Sequence, residues 1–294
     1  MLQHHPSHPH GFTLLEMTIL ITVIGFVIGG IQAGKHLIRV AKLQAVMSDA
    51  EAYAKAIQQF KDKYNYLPGD MPTAQTFWGT SSNGCPNSNT STTLQIATCS
   101  GDGNGQIYFN TGDITYSCEE YWLWQQLADA GMISGTYSGA MAPINGYTTC
   151  KLGNTQTAAV NINVPGSKIA GAGYMVAYWG QGAFGAAGTF GNPLPNQLGG
   201  YNFIIFSMPA TAAAPTIGMW GRGDSSGAIS GMDSFAIDEK IDDGLPGSGV
   251  VLSSELVMQA GANSHCVMAL ASATTTYAAT NTVALCSLVF NYGL

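Results

Sequence analysis

An α+β fold is predicted, in which one long N-terminal helix is followed by a mostly antiparallel sheet carrying inserted helices and long loops. Three observations lead there. The run from Phe12 to Ile31 is almost unbroken apolar sequence, and no proline interrupts the chain between Phe12 and Pro68. Beyond it, aromatic and β-branched runs are bounded by glycine or proline, the pattern of strands. Glycine reaches 37 of 294 residues while charged residues are only 9%, and segments 79–105, 180–200 and 271–282 are rich in Gly, Ser, Thr, Asn or Ala. That composition belongs to a loop-rich domain.

A helix rises ~1.5 Å per residue, so about 20 apolar residues cover the ~30 Å hydrocarbon core of a bilayer. Glu16 lies inside this run, and a carboxylate at membrane depth costs at least ~2.5–3.5 kcal/mol, so it calls for a partner or a function. Further along, Ile31, Leu37, Ile38, Ala41, Ala45, Ala52, Ala56 and Phe60 recur near helical spacing between Lys35, Arg39, Lys42, Asp49, Glu51, Lys55 and Lys61 to Lys63. One helix of roughly 50 residues and ~75–80 Å is the expectation. Gly25, Gly29, Gly30 and Gly34 form two small-xxx-small spacings, suited to close helix packing in lipid and otherwise simply weakening the helix.

Shorter elements follow. Glu119 to Ala130 reads as a helix stopped by Gly131, with Tyr121, Trp124, Leu127 and Ala128 on its apolar side. Tyr174 to Trp179 and Tyr201 to Met208 read as strands, Phe235 to Asp243 as a helix ended by Gly244 and Pro246, and Val250 to Leu252 and Val283 to Phe290 as further strands.

The hexapeptide Gly11-Phe12-Thr13-Leu14-Leu15-Glu16, with the apolar run behind it, resembles the class III signal of type IV pilins and of type II secretion pseudopilins. The likeness is close over about the first fifth of the chain and looser after that. It implies that prepilin peptidase cuts after Gly11 and methylates the new N-terminus at Phe12, and that Glu16 directs assembly. It also implies the division of the chain: a cleaved leader 1–11, a transmembrane and assembly helix 12–34, a periplasmic continuation 35–64, and a disulfide-bonded pilin-like domain 65–294. The implied location is the bacterial inner membrane, single-pass with the domain periplasmic, and then a filament in the periplasm or at the cell surface. Its implied partners are the peptidase, an inner-membrane assembly platform, and like or unlike pilin subunits in a homo- or hetero-oligomer.

Physical chemistry agrees with this resemblance. An ordinary secretory signal loses its apolar stretch on cleavage, whereas a cut before Phe12 retains it. A cationic amine at Phe12 and the carboxylate of Glu16 in a neighbouring subunit would neutralise each other in a medium of low dielectric and fix axial register. The alternative is an ordinary signal anchor with Glu16 near the headgroups. One departure from the family pattern is a leader with His4, His5, His8 and His10 but no Lys or Arg. Lys35, Arg39 and Lys42 beyond the run would reverse the topology on the positive-inside rule alone.

After Tyr64 the chain carries four cations and thirteen carboxylates, a net charge of −9. Such a domain repels nucleic acid, so no nucleic-acid partner is expected. The six cysteines Cys85, Cys99, Cys118, Cys150, Cys266 and Cys286 contain no Cys-x-x-Cys, which removes zinc-ribbon and thioredoxin-like readings. An even count in an exported domain favours three disulfides. All fifteen connectivities are open, with 85–99, 118–150 and 266–286 the simplest.

Two acidic segments are candidate metal sites. Asp102, Asn104 and Gln106 alternate with glycines as in the middle of an EF-hand-type calcium loop, with Asp113 nearby, but Ser100 and Thr111 stand where end ligands belong. Asp238, Asp242 and Asp243 close the predicted helix 235–243, and two carboxylates at a helix C-terminus oppose its dipole. Some pseudopilins hold structural calcium, so Ca2+ is the expected ion, although none is required and a turn that binds nothing is the plainer reading. No enzyme is expected: past His36 the only histidine is His265, beside Cys266, and no phosphate-binding Gly-Lys-Ser/Thr motif occurs. The function read from the sequence is therefore that of a structural pilin or pseudopilin subunit. The alternative is a filament-borne or membrane-anchored adhesin whose acidic domain binds through exposed aromatics such as Trp78, Trp179 and Trp220.

Overall fold

A computed structural model of the chain describes residues 12–81, 85, 96–107, 118–140, 158–179, 200–208, 227–253, 266–268, 275–284 and 286–294. Two compact units divide the chain, Met1–Leu43 and Gln44–Leu294.

The first helix, α1, runs from Leu14 to Tyr64, 51 residues without a break. It stops because Asn65 turns into the left-handed region at φ 61° while its N–H still bonds the Lys61 carbonyl at 2.8 Å. Pro68 follows and cannot extend a helix. In the first unit its side chains are exposed almost throughout. In the second, Val46, Ala50, Ala54, Ala56, Ile57 and Phe60 are buried. This stripe shares Ala56 and Phe60 with the spacing read from the sequence, but Ala52 faces solvent and Ala45 is half-buried. The large side chains Val46, Ile57 and Phe60 set the face, and the small alanines follow.

Against that stripe packs a four-stranded antiparallel sheet. Its strands are β1 (Gly173–Trp179), β2 (Tyr201–Ser207), β3 (Val251–Ser253) and β4 (Leu288–Phe290), in the order β1-β2-β4-β3. Register runs from Gly173 opposite Ser207 to Trp179 opposite Tyr201, then Ile205 opposite Val289 and Leu252 opposite Val289. In β2 every residue after Tyr201 is buried, as expected for a strand with neighbours on both edges and cover on both faces. Strand β4 is shorter than expected. Val283 is exposed, and Cys286 pairs instead with Ile229 in an isolated bridge.

Three further helices complete the described chain: α2 (Ala74–Trp78), α3 (Glu119–Asp129) and α4 (Gly231–Ile241). The start of α4 lies four residues before the expected Phe235, because Ser230 caps it and accepts a hydrogen bond from the Asp233 N–H at 3.2 Å. Gly231 is needed there, since a Cβ would run into the Ala278 carbonyl oxygen. All around, α3 is buried from Glu119 through Leu127, so its apolar side extends well beyond the four residues read from the sequence.

The join between α1 and the sheet is aromatic. Tyr53 of α1 meets Trp124 of α3 edge-on with ring centroids 5.1 Å apart, and Tyr174 of β1 at 5.0 Å. The Tyr174 hydroxyl donates to Asp49 Oδ2 at 3.2 Å, and burial raises the Asp49 carboxyl above its ordinary value while Tyr174 and Lys168 partly offset it. Disulfides Cys85–Cys99 and Cys266–Cys286 close loops of 14 and 20 residues with Cα separations of 5.7 and 5.1 Å, each contributing ~3 kcal/mol in the chain-entropy account. Cys118 is also disulfide-bonded, and Cys150 lies outside the described residues.

Replacing Trp124 by alanine is expected to destabilise the second unit by ~3–5 kcal/mol, the cost of an aromatic-sized cavity. Tyr174→Phe, which removes one partly buried hydrogen bond, is expected to cost only ~1 kcal/mol. Denaturant unfolding of the detergent-solubilised chain checks the order, and a larger loss for Tyr174→Phe would contradict this packing.

Candidate functional site

Phe12, two residues before α1, is 80% exposed, and Glu16 in the first turn of α1 is exposed with it. The Glu16 carboxylate accepts from the Thr13 N–H at 2.8 Å and from the Thr13 hydroxyl at 2.9 Å, while the Glu16 N–H donates to the Thr13 oxygen at 3.2 Å. This is a reciprocal capping box, in which the carboxylate satisfies an N–H that the helix start leaves without a partner. The Thr-x-x-Glu spacing was legible in the sequence, so Thr13 joins Phe12 and Glu16 as a site residue. Gly11 lies outside the described residues. The helix is long and apolar enough to cross a membrane, with a mean hydropathy of 2.3 over its most apolar window and none of that window buried. A Cβ at Gly25, Gly29, Gly30 or Gly34 would meet nothing within 4 Å.

The loop that resembles a calcium-binding sequence is built around a residue the sequence reading did not select. Asp70 is 1% exposed. Its Oδ1 accepts from the N–H groups of Gly103 at 2.8 Å and Asn104 at 3.0 Å, and its Oδ2 from Gly105 at 2.9 Å. Gly103 and Gly105 adopt φ 77° and 82°, which turns consecutive amides inward. Asp102 accepts from the Asn104 backbone at 3.0 Å and from its side chain at 2.8 Å, and Asn104 Oδ1 accepts from the Gln106 N–H at 2.7 Å. Alternating polar residues thus make successive Asx turns, and loop amides supply the positive potential at Asp70. Glu119, fully buried at the start of α3, accepts from the Asp102 N–H at 3.3 Å. Carboxylate oxygens of Asp70, Asp102 and Glu119 lie within 4.8 Å of one another, close enough to share a cation. Both oxygens of Asp70 already hold amide donors, however. Asp113 lies outside the described residues. The one sequence signal for Asp70 was its place in the Pro68-Gly69-Asp70 turn.

The second acidic segment has the same logic. Asp238 is fully buried, and accepts from the Tyr277 hydroxyl at 2.8 Å and the Gly244 N–H at 3.0 Å. Asp242 Oδ2 accepts from the Val250 N–H and, at 3.3 Å, from that of Val251. Asp243 accepts from the Leu245 N–H at 2.8 Å and the Ser248 hydroxyl at 2.6 Å. These three carboxylates also come within 4.8 Å of one another. They tie the end of α4 to the start of β3.

Burial is the main cause that lifts the Asp70 and Asp238 carboxyls to about 7. The Gly105 and Gly103 amides oppose it at Asp70, and Tyr277 and Gly244 oppose it at Asp238. Burial alone raises Asp129 to about 7.

Among the aromatics, Trp78 is half-buried in a cluster with Phe60, Tyr64 and Phe77 at centroid distances of 6.1, 5.6 and 5.7 Å. Phe77 is 57% exposed. Trp179 ends β1, and Trp220 and His265 lie outside the described residues. Compared with known protein families, curated proteins and solved structures, the chain matches none of them.

The raised carboxyls set a pH dependence. Their folded values exceed the ordinary 3.8, so the folded chain holds more protons than the unfolded one between about 4 and 7. Stability is therefore greatest at the acid end of that window and falls as the pH rises to 7. Thermal melts in chelator at pH 5 and 7.5 are expected to show the lower melting temperature at 7.5, and Asp70→Asn is expected to flatten part of that slope. A rising trend would contradict the assignment.

Proposed function

We propose that this chain is a structural subunit of a type IV pilus or of a type II secretion filament, a pilin or pseudopilin. Prepilin peptidase would cut after Gly11 and methylate Phe12. The observation that carries the reading is the Gly11 to Glu16 hexapeptide at the head of a helix whose apolar, membrane-length window is left bare. Bare apolar surface must be covered by lipid or by other subunits, and the family's filaments offer both in turn. The chain would sit in the bacterial inner membrane with its disulfide-bonded domain in the periplasm. It would then enter a homo- or hetero-oligomeric filament through an inner-membrane assembly platform. Glu16 would exchange its Thr13 cap for the amine of a neighbouring Phe12, trading one hydrogen-bonded partner for a charge-neutralising one. This role needs no nucleic acid and no catalytic residue.

No cofactor is required. Calcium at Asp70, Asp102 and Glu119 would act as a stabiliser competing with protons for the same oxygens. It is tested by adding 1 mM calcium, roughly the affinity scale of weak extracellular sites, to melts at pH 7.5. Recovery of the stability lost above pH 5 supports the site, and an unchanged melting temperature removes it.

Exposed Phe77 beside half-buried Trp78 favours a second reading, an adhesin-like module borne on the same helix. Deleting residues 65–294 separates the two. Filament entry by the remaining helix with loss of attachment alone favours the module.

Glu16→Val is expected to leave cleavage intact and to abolish incorporation beside wild-type subunits, and Gly11→Ala to leave the leader attached. Immunoblots of whole cells and sheared filaments read both outcomes. Normal incorporation of Glu16→Val would remove the register role of this carboxylate.

A further inference from the structure

The apolar run of α1 ends at Ile31, and three exposed cations follow it at Lys35, Arg39 and Lys42. At 3.6 residues per turn, spacings of four and three keep them within about 60° of one another, on one face of the helix. They stand roughly 6, 12 and 17 Å past Ile31 along the axis. Helical side chains lean toward the N-terminus, which in α1 is the direction of the apolar run. Long Lys and Arg stems therefore carry their charges back toward the level where that run meets water.

A headgroup layer adds roughly 5–8 Å to each side of the hydrocarbon core. With Phe12 to Ile31 across that core, Lys35 stands inside the layer, and Arg39 and Lys42 reach back to within about one Debye length of it. No carboxylate of α1 lies among them, since none occurs between Glu16 and Asp49. Leu37 and Ile38 beside them are 68% and 59% exposed, which the boundary of headgroup and acyl chain accommodates better than water does. After Tyr64 the net charge is −9, so this stripe and not the second unit suits an anionic surface. The acidic unit of another copy has a suitable sign as well, but nothing fixes it beside the stripe. A bilayer that covers Phe12 to Ile31 is necessarily beside Lys35.

We propose that Lys35, Arg39 and Lys42 bind the phosphate groups of anionic phospholipid in the leaflet where the apolar run ends. The proposal rests on the membrane-spanning part of the reading above and names the lipid class that this part of the chain selects. It also gives the three cations a role other than orientation, for which their place past the run has the wrong sense.

The test uses the full chain reconstituted in phosphatidylcholine vesicles that hold a minor share of phosphatidylglycerol. A fluorophore on Gln32→Cys, an exposed position one turn before Lys35, reports quenching by lipid spin-labelled high on its acyl chain. Quenching by labelled phosphatidylglycerol is expected to exceed that by labelled phosphatidylcholine at equal content, and the excess is expected to fall as salt is raised. Lys35→Gln with Lys42→Gln is expected to cut this preference about fivefold or more, on about fivefold for each cation near the surface. Lys35→Arg with Lys42→Arg is expected to keep it. Lys61→Gln with Lys63→Gln, farther along α1, is expected to leave it unchanged, and an equal loss there overturns the proposal because net charge alone then accounts for it. Equal quenching by the two lipids, in a chain that stays with the vesicles through alkaline extraction, overturns the proposal and keeps the membrane reading. Release of the chain by that extraction removes the membrane reading and the proposal with it. If Lys35→Gln with Lys42→Gln weakens only association between copies and leaves the lipid preference intact, the stripe reads protein and the proposal falls.

Discussion

Burial of the stripe from Val46 to Phe60 against Tyr174 and Trp124 is the interaction on which the folded unit depends. An isolated helix in water is held mainly by what it packs against, not by its own propensity. Here the large anchors Val46, Ile57 and Phe60 are each 1% exposed or less. Tyr53 fixes the rotation of α1 by meeting Trp124 and Tyr174 together, and Tyr174 adds a hydrogen bond to Asp49. The sheet, α3 and the carboxylate-centred loops are arranged around that contact.

The same helix obeys a different constraint before Gln44. From Phe12 to Ile31 its large apolar side chains stay between 44% and 83% exposed, a surface that water disfavours at ~25 cal/mol per Å². Among the described residues no contact inside the first unit relieves this. On the proposed function, a lipid bilayer would supply relief for a single subunit, and neighbouring helices would supply it for an assembly. Glu16 is the one carboxylate within this surface, and Thr13 satisfies it locally through its N–H and hydroxyl. The carboxylates of Asp70 and Asp238 show how the folded unit treats the same problem: each is enclosed and surrounded by N–H or O–H donors.

Much of this was legible from the residues. The long helix could be read because apolar periodicity and the absence of proline act over 50 positions, and Asn65 and Pro68 mark its end. Strands β1 and β2 could be read because their aromatic and β-branched runs are bounded by glycine. The stripe of α1 was less legible, since alanines at several spacings compete and only tertiary packing chooses between them. The all-round burial of α3 could not be read from Glu119, Glu120, Gln125 and Gln126, whose polar side chains normally mark a solvated face. In the loop, Asp102 and Asn104 drew attention by their spacing, whereas Asp70 had to be found in space: its partners lie more than 30 residues away. Thr13 was missed although its capping spacing to Glu16 is local and could be read directly.

The central claim is that Glu16 works at the head of a processed, assembling helix. The most direct measurement is the mass of the N-terminal peptide in sheared surface filaments and in membranes of the producing cell. The account predicts a peptide that begins at Phe12 and carries one added methyl group, in the filament fraction for a pilus subunit or in the membrane fraction for a periplasmic filament. A peptide that begins at Met1 in both fractions would contradict it.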